Sequence, residues 1–267
     1  MAHPKEILNR LKAIPLKSLS QNFLISPHWA EKLVEAFLCE GQYDEVWEIG
    51  PGLGALTQIL TTKTQKPIQL FEIDKKLSVF LKEQFPSIPV HQGDFLDHDW
   101  NQLISPPRKV AVLSNLPYHL SSPMIFKMAE NKNVLSHFLF TFQKEFADRL
   151  IAKPNTKNYG SLTLITEVHF SLKNLGTLPA GAFYPAPSVS SQAILFIPKP
   201  DSSEMLKTIS LIKAAFSHRR KKMASNLKDV FPEVSWEACL EEAGISPQIR
   251  AEALTLDQFR FLSNKIK

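Results

Sequence analysis

A strand that runs directly into a crowd of glycines restricts the fold of this chain more than any other feature. Residues 46–49 form a short apolar run with strand character. They end in Gly50-Pro51-Gly52-Leu53-Gly54, after which Ala55, Leu56, Ile59 and Leu60 mark one face of a helix. The chain has 9 Gly in all, and three of them fall within these five residues. Such crowding marks a place where backbone turns tightly or approaches a ligand. A strand, a glycine turn and a helix are the opening unit of an α/β sheet.

The same alternation continues. Further strands are expected at 68–71, 88–91, 110–113, 138–142, 162–170 and 192–197, with a helix through Leu77, Phe80 and Leu81. Strands alternating with helices imply a mostly parallel sheet covered on both faces. The last two strands are joined by a proline-rich segment without a clear helix, so one of them is expected to run antiparallel. Ahead of the sheet, Ser26-Pro27 reads as an N-cap and first helical position, followed by Ala30, Leu33, Val34, Phe37 and Leu38 at helical spacing. Lys5, Arg10, Lys12 and Lys17 make residues 1–25 a basic N-terminal arm without clear periodicity. The stretch 198–203 reads as a linker, and beyond it only helical patterns remain, at 205–218, 236–243 and 256–266. The expected division is therefore an arm (1–25), an α/β domain (26–198) and a small helical domain (199–267).

Composition removes several classes. At 44% hydrophobic and 21% charged residues the chain is ordinary globular protein. No apolar run approaches the roughly 18 residues of a membrane span, and the start has no apolar core of a signal peptide, so a soluble cytoplasmic protein is expected. Cys39 and Cys239 stand alone, which excludes a disulfide scaffold or a zinc site, and no metal is expected. The formal charge of +5 hints at a polyanionic partner.

The chemistry is carried by three strand ends. Glu72 lies 22 residues after Gly50, at the end of the next strand, where a carboxylate can accept from both hydroxyls of a ribose. The spacing Gly-x-Gly-x-Gly, with Pro51 removing one backbone donor, favours a nucleoside cofactor without a pyrophosphate, because a pyrophosphate needs those donors. Asp94, at a third strand end, is placed to accept from an adenine amine, or else to cap the next helix. After the strand at 110–113 comes Ser114-Asn115-Leu116-Pro117-Tyr118. A planar exocyclic amine is a poor nucleophile because its lone pair is delocalised into the ring. The Asn115 amide oxygen and the Leu116 carbonyl can accept its two N–H bonds, favouring pyramidal nitrogen and freeing that pair for a methyl sulfonium. Pro117 stiffens the turn, and Tyr118 offers a stacking face for a base taken out of its helix.

With these residues in place the chain resembles the KsgA-type rRNA adenine N6-dimethyltransferases, from about residue 18 to the end. The family's opening motif stands here as Gln21-Asn22-Phe23-Leu24, its glycine loop as 48–54, and its Asn-Leu-Pro-Tyr motif as 115–118. Further family blocks are 143–149, Tyr159-Gly160, 183–189, 219–222 with Asn226-Leu227, and Arg250-Ala251-Glu252 with Leu254.

The resemblance implies a Rossmann-like class I methyltransferase fold with a small C-terminal helical domain. It also implies S-adenosylmethionine as cofactor and the small ribosomal subunit and its rRNA as partners, with a monomer as the default. The implied reaction converts two adjacent adenosines near the 3′ end of small-subunit rRNA to N6,N6-dimethyladenosine. By motif position Asn22, Leu24, Gly50, Gly52, Glu72, Asp94 and Asn115 would bind or line the cofactor, and Phe183 would be a second aromatic wall for the base, or else a phenylalanine tucked into the core. Arg219, Arg220, Lys221 and Lys222 would neutralise RNA phosphates. Ser114 and His119 depart from the family pattern, and Ser114 is expected to bear on the second methyl transfer. Two other readings share the core: an Erm-type enzyme acting on large-subunit rRNA, and a binding factor with vestigial methylation. No histidine is assigned a catalytic role.

Overall fold

In the computed structural model, which describes residues 4–12, 21–218 and 220–266, the alternation of strand and helix builds a seven-stranded sheet and a separate two-stranded ribbon. The strands are β1 (Phe23–Leu24), β2 (Glu45–Ile49), β3 (Ile68–Glu72), β4 (Val90–Gln92), β5 (Val110–Ser114), β6 (Leu135–Gln143), β7 (Phe170–Leu178), β8 (Phe183–Tyr184) and β9 (Ser191–Pro198). The helices are α1 (Pro4–Arg10), α2 (Pro27–Leu38), α3 (Ala55–Lys63), α4 (Lys75–Gln84), α5 (Trp100–Leu103), α6 (Ser121–Glu130), α7 (Lys144–Leu150), α8 (Ser161–His169), α9 (Met205–Ala215), α10 (Met223–Val230), α11 (Trp236–Glu242) and α12 (Leu256–Ser263).

The sheet order is β4-β3-β2-β5-β6-β9-β7. From β4 to β6 every neighbouring pair is parallel, and β9 runs antiparallel to β6, as the proline-rich connection before it suggested. The chain moves outward from β2 through β3 and β4, then returns to β5 on the other side of β2. That reversal opens a crevice at the carboxyl ends of β2 and β5, where open sheets bind ligands. All five residues of β2 and all five of β5 are buried, as central strands of a doubly covered sheet must be. The buried Glu45 carboxylate is satisfied by the Trp47 indole, Gln69 and Arg108.

Four expectations are corrected. The strand expected at 162–170 is the helix α8, in which Thr163, Leu164, Ile165, Thr166 and Val168 are all buried. A continuous apolar run has no periodicity to separate a buried helix from a strand, and its β-branched residues tilt the reading toward strand. Within the basic arm, residues 4–10 form a helix whose Ile7 and Leu8 enter the core beside Phe23, Leu24 and Leu77; Lys17 lies outside the described residues. The helix expected at 205–218 ends at Ala215, so Arg220, Lys221 and Lys222 lie outside a helix, ahead of α10. Finally, the compact units are Met1–Ala147 with Leu172–Pro198, and Asp148–Ser171 with Lys199–Lys267. The helical unit thus takes in α8 as well as the chain after 198, because Leu164, Ile165 and Val168 pack with Leu211, Ile212 and Phe259. Among the described residues, no helix is long and apolar enough to cross a membrane.

Candidate active site

The glycines of the turn after β2 spend their backbone donors within the protein. Gly50 N–H donates to the Phe71 carbonyl (2.8 Å), Gly54 N–H to the Pro51 carbonyl (2.9 Å), and Gly52 N–H to Glu72 Oε2 (3.1 Å). A loop that cradles phosphate must leave such groups pointing outward; this one suits an uncharged ligand. Gly52 has φ +59°, and a Cβ there would lie 3.0 Å from the Phe23 ring, so only glycine lets the 21–24 segment close over the turn.

Two carboxylates lie beneath this turn. Glu72 ends β3 and is 3% exposed; its Oε2 takes the Gly52 N–H and its Oε1 takes the Asp74 N–H (2.9 Å). Burial pushes its pKa up to about 7, against the downward pull of those backbone donors. Glu48, on β2, is 1% exposed and accepts from the Thr57 hydroxyl of α3 at 2.6 Å. Burial raises it further, to about 8, with the Thr57 bond opposing and the Glu72 charge adding to the rise. Glu48 lines the cleft. It opens the glycine motif, yet its sequence position gave it no role; an acid inside an otherwise apolar central strand was the available signal.

The third wall is the turn after β5. Ser114 is buried, and its hydroxyl donates to the Ile49 carbonyl at 2.7 Å, tying the end of β5 to the start of the glycine turn. Asn115 Nδ2 donates to the Asn22 carbonyl (2.9 Å), and Asn115 Oδ1 accepts from the Thr141 hydroxyl (2.6 Å). Leu116 is buried, and Pro117 leads into a single 3-10 turn at Tyr118–Leu120 that continues as α6. The Tyr118 hydroxyl shares a 2.8 Å bond with the Ser191 hydroxyl of β9, which fixes the ring's outer end.

These parts enclose one cleft of about 780 Å³, open mouth included. Of the residues expected at the site, Asn22, Leu24, Gly50, Gly52, Glu72, Asn115, Leu116, Pro117 and Tyr118 all line it. The others are placed elsewhere. Asp94 follows β4, but its Oδ1 accepts from Leu96 N–H (2.9 Å), capping a 3-10 turn, and it is not part of the lining. Phe183 is 3% exposed; it pairs with Leu24 across the β1–β8 ribbon and belongs to the core, so the aromatic wall expected of it is absent from the lining. Arg220, Lys221 and Lys222 are exposed on the turn before α10 in the helical unit, and Arg219 lies outside the described residues. That turn is held by Asn226, whose Nδ2 donates to the carbonyls of Ala215 (2.8 Å) and His218 (3.1 Å).

A family model described as ribosomal RNA adenine dimethylase matches residues 16–267. A ribosomal RNA small subunit methyltransferase A of Borreliella burgdorferi is 35% identical over 268 residues, covering 98% of this chain and 92% of that protein. Among solved structures, a dimethyladenosine transferase from Plasmodium falciparum aligns with a TM-score of 0.75 at 23% identity, over 90% of this chain and 95% of that one. The 23S rRNA methyltransferase ErmE aligns at 0.72, also at 23% identity, over 92% and 99%. The two structures establish a shared fold and do not separate one substrate from another.

Proposed function

This chain belongs to the ribosomal RNA adenine dimethylase family, and on that premise we propose that it dimethylates N6 of two adjacent adenosines in the 3′-terminal loop of small-subunit rRNA during ribosome biogenesis. It is an S-adenosylmethionine-dependent rRNA adenine methyltransferase. The chemistry the bound cofactor supplies is a methyl group on positively charged sulfur.

The cleft fits that cofactor. Its glycine donors are engaged internally, which suits a ribose and amino-acid tail better than a pyrophosphate. Leu53, Ile73 and Leu77 give it apolar walls, and Glu72 supplies the ribose acceptor between them. Asn22, Leu24, Gly50, Gly52 and Asn115 would complete the holding set. Asp94 would take the adenine amine with Oδ2, its Oδ1 being engaged by Leu96.

The target amine is held by acceptors. Asn115 Oδ1 and the Leu116 carbonyl take its two hydrogens, which favours pyramidal nitrogen, while Tyr118 stacks on the base. No side chain has to act as a strong base, because the surplus proton can leave to water once nitrogen has become tetrahedral. Catalysis by these residues is positioning and amine polarisation. The exposed cations Arg220, Lys221 and Lys222, with Arg219, would bind RNA phosphates. A cytoplasmic monomer is the proposed form, the location supported by the ribosomal substrate.

The observation that carries this reading is the Asn115 carboxamide, fixed at both ends beside the glycine turn and Glu72. The test is transfer of labelled methyl from S-adenosylmethionine to small subunits lacking the modification, with large subunits in parallel. Dimethyladenosine in the small-subunit 3′ loop is expected. Asn115→Ala should lower transfer by roughly a hundredfold or more, while cofactor binding weakens far less because the rest of the holding set remains. Label in the large subunit instead, or undiminished transfer by Asn115→Ala, would overturn the reading.

A further inference from the structure

Asn115 depends on a residue that no part of the mechanism has used. Thr141 lies on β6, is 1% exposed, and does not line the cleft. The parallel register pairs Ser114 of β5 with Phe140 of β6, which brings Thr141 level with Asn115. On its other side Thr141 pairs with Ala193 of β9, so its backbone is held in that ladder, one residue past the last pairing with β5. A β-branched side chain on such a strand has few rotamers available, and the one adopted puts Oγ1 at 2.6 Å from Asn115 Oδ1.

The chemistry of the two contacts on the carboxamide differs. The Asn22 carbonyl can only accept, so the end of Asn115 facing it at 2.9 Å must be the nitrogen. That leaves the oxygen facing Thr141, whose hydroxyl therefore donates. A carbonyl oxygen has two acceptor directions. Thr141 occupies one of them from inside the sheet and leaves the other for the cleft. A hydroxyl buried in an apolar strand is unfavourable without a partner, whereas valine has the same shape without that demand. The hydroxyl here is accounted for by this one bond.

We propose that Thr141 is a positioning residue for methyl transfer: its hydroxyl holds the Asn115 side-chain oxygen in the orientation that receives the target adenine amine. The inference rests on the proposed role of Asn115. It adds that the aim of the acceptor is set from the neighbouring strand.

Thr141→Val removes the hydroxyl and keeps the volume; Thr141→Ser keeps the hydroxyl. In the full-length protein, with unmodified small subunits as substrate, kcat of Thr141→Val should fall about tenfold or more. Its cofactor Kd and its KM for subunits should stay within about twofold of the parent. Thr141→Ser should recover to within a fewfold of the parent rate. A role in packing alone would leave Val active and move the melting temperature instead. Should Val fail to fold, Thr141→Ala removes the same hydroxyl without crowding and is expected to show the same loss. Parental kcat in Val or Ala, or a loss in Ser as deep as in Val, would overturn the role of Thr141 while leaving the reaction standing. A parent protein that transfers no methyl to small subunits would overturn the proposed reaction, and this inference with it.

Discussion

At the scale of single residues, the site is legible wherever a side chain follows a strand end at a fixed spacing. Glu72 and Asn115 were found that way, because parallel strands bring their carboxyl ends to one edge. Glu48 and Thr141 were not, since each sits within an apolar strand and its role is set by a neighbour distant in sequence: Thr57 for one, Asn115 for the other. Glu48 also has a consequence for stability. Burial raises Glu48 to about 8 and Glu72 to about 7, both above the ordinary carboxylate value of 4.5. The folded protein therefore keeps protons that the unfolded chain releases, and these groups make it less stable as pH rises from about 4.5 to 8. His137 works the other way: buried against the Phe37 carbonyl, it is lowered to about 4, so stability rises with pH between about 4 and 6.5 on its account. A difference between variants isolates the Glu48 share. Glu48→Gln, which can still accept from Thr57, should melt several degrees above the parent at pH 8. The two should converge near pH 4, below the ordinary carboxylate value, where Glu48 is neutral in both the folded and the unfolded chain. Thermal melts of the cofactor-free protein at both pH values test this, and an equal gap at the two would refute the assignment.

At the scale of elements, local signals served where punctuation is strong. Ser26 caps α2 with Pro27 at its first position, as the sequence indicated, and the glycines separate β2 from α3. They failed where identity depends on what packs alongside. The run at 162–170 is helical because α8 is buried in a helical unit. The residues after Ala215 leave the helix because Asn226, from α10, captures the carbonyls of Ala215 and His218. That capture presents Arg220, Lys221 and Lys222 on a turn rather than along a helix face. Replacing Lys221 and Lys222 together with alanine should weaken RNA binding and reduce the slope of log K against log salt by about 1–2. Cofactor affinity and melting temperature should hardly change, since both side chains are exposed. Binding titrations across a salt series measure the slope, and an unaltered slope would remove these two lysines from the RNA contact.

At the scale of the whole molecule, the chain enters the helical unit twice. It does so first through Asp148–Ser171 and again from Lys199, with most of β7 and all of β8 and β9 in between. The linker-like composition of 198–203 is real, yet it marks only the second entry. A boundary drawn there from composition leaves α8 on the wrong side, because no local signal announces that Tyr159, Leu164, Ile165 and Val168 share a core with Leu211, Leu227, Leu254 and Phe259. The Tyr159 hydroxyl is bonded to the Leu254 carbonyl at 2.7 Å, and Asn155 N–H to the Glu252 carbonyl at 2.8 Å, so the polar contacts follow the same division. Cutting the chain after residue 198 would strip α8 of these partners and expose its apolar side chains as one contiguous patch, a liability for association. The fragment 1–198 should therefore be recovered mainly in aggregates, while the full chain melts cooperatively. Gel filtration and circular dichroism of the fragment decide the matter. A monomer with a sharp thermal transition would mean that α8 stands without its partners and that the sheet unit ends where composition alone would put it.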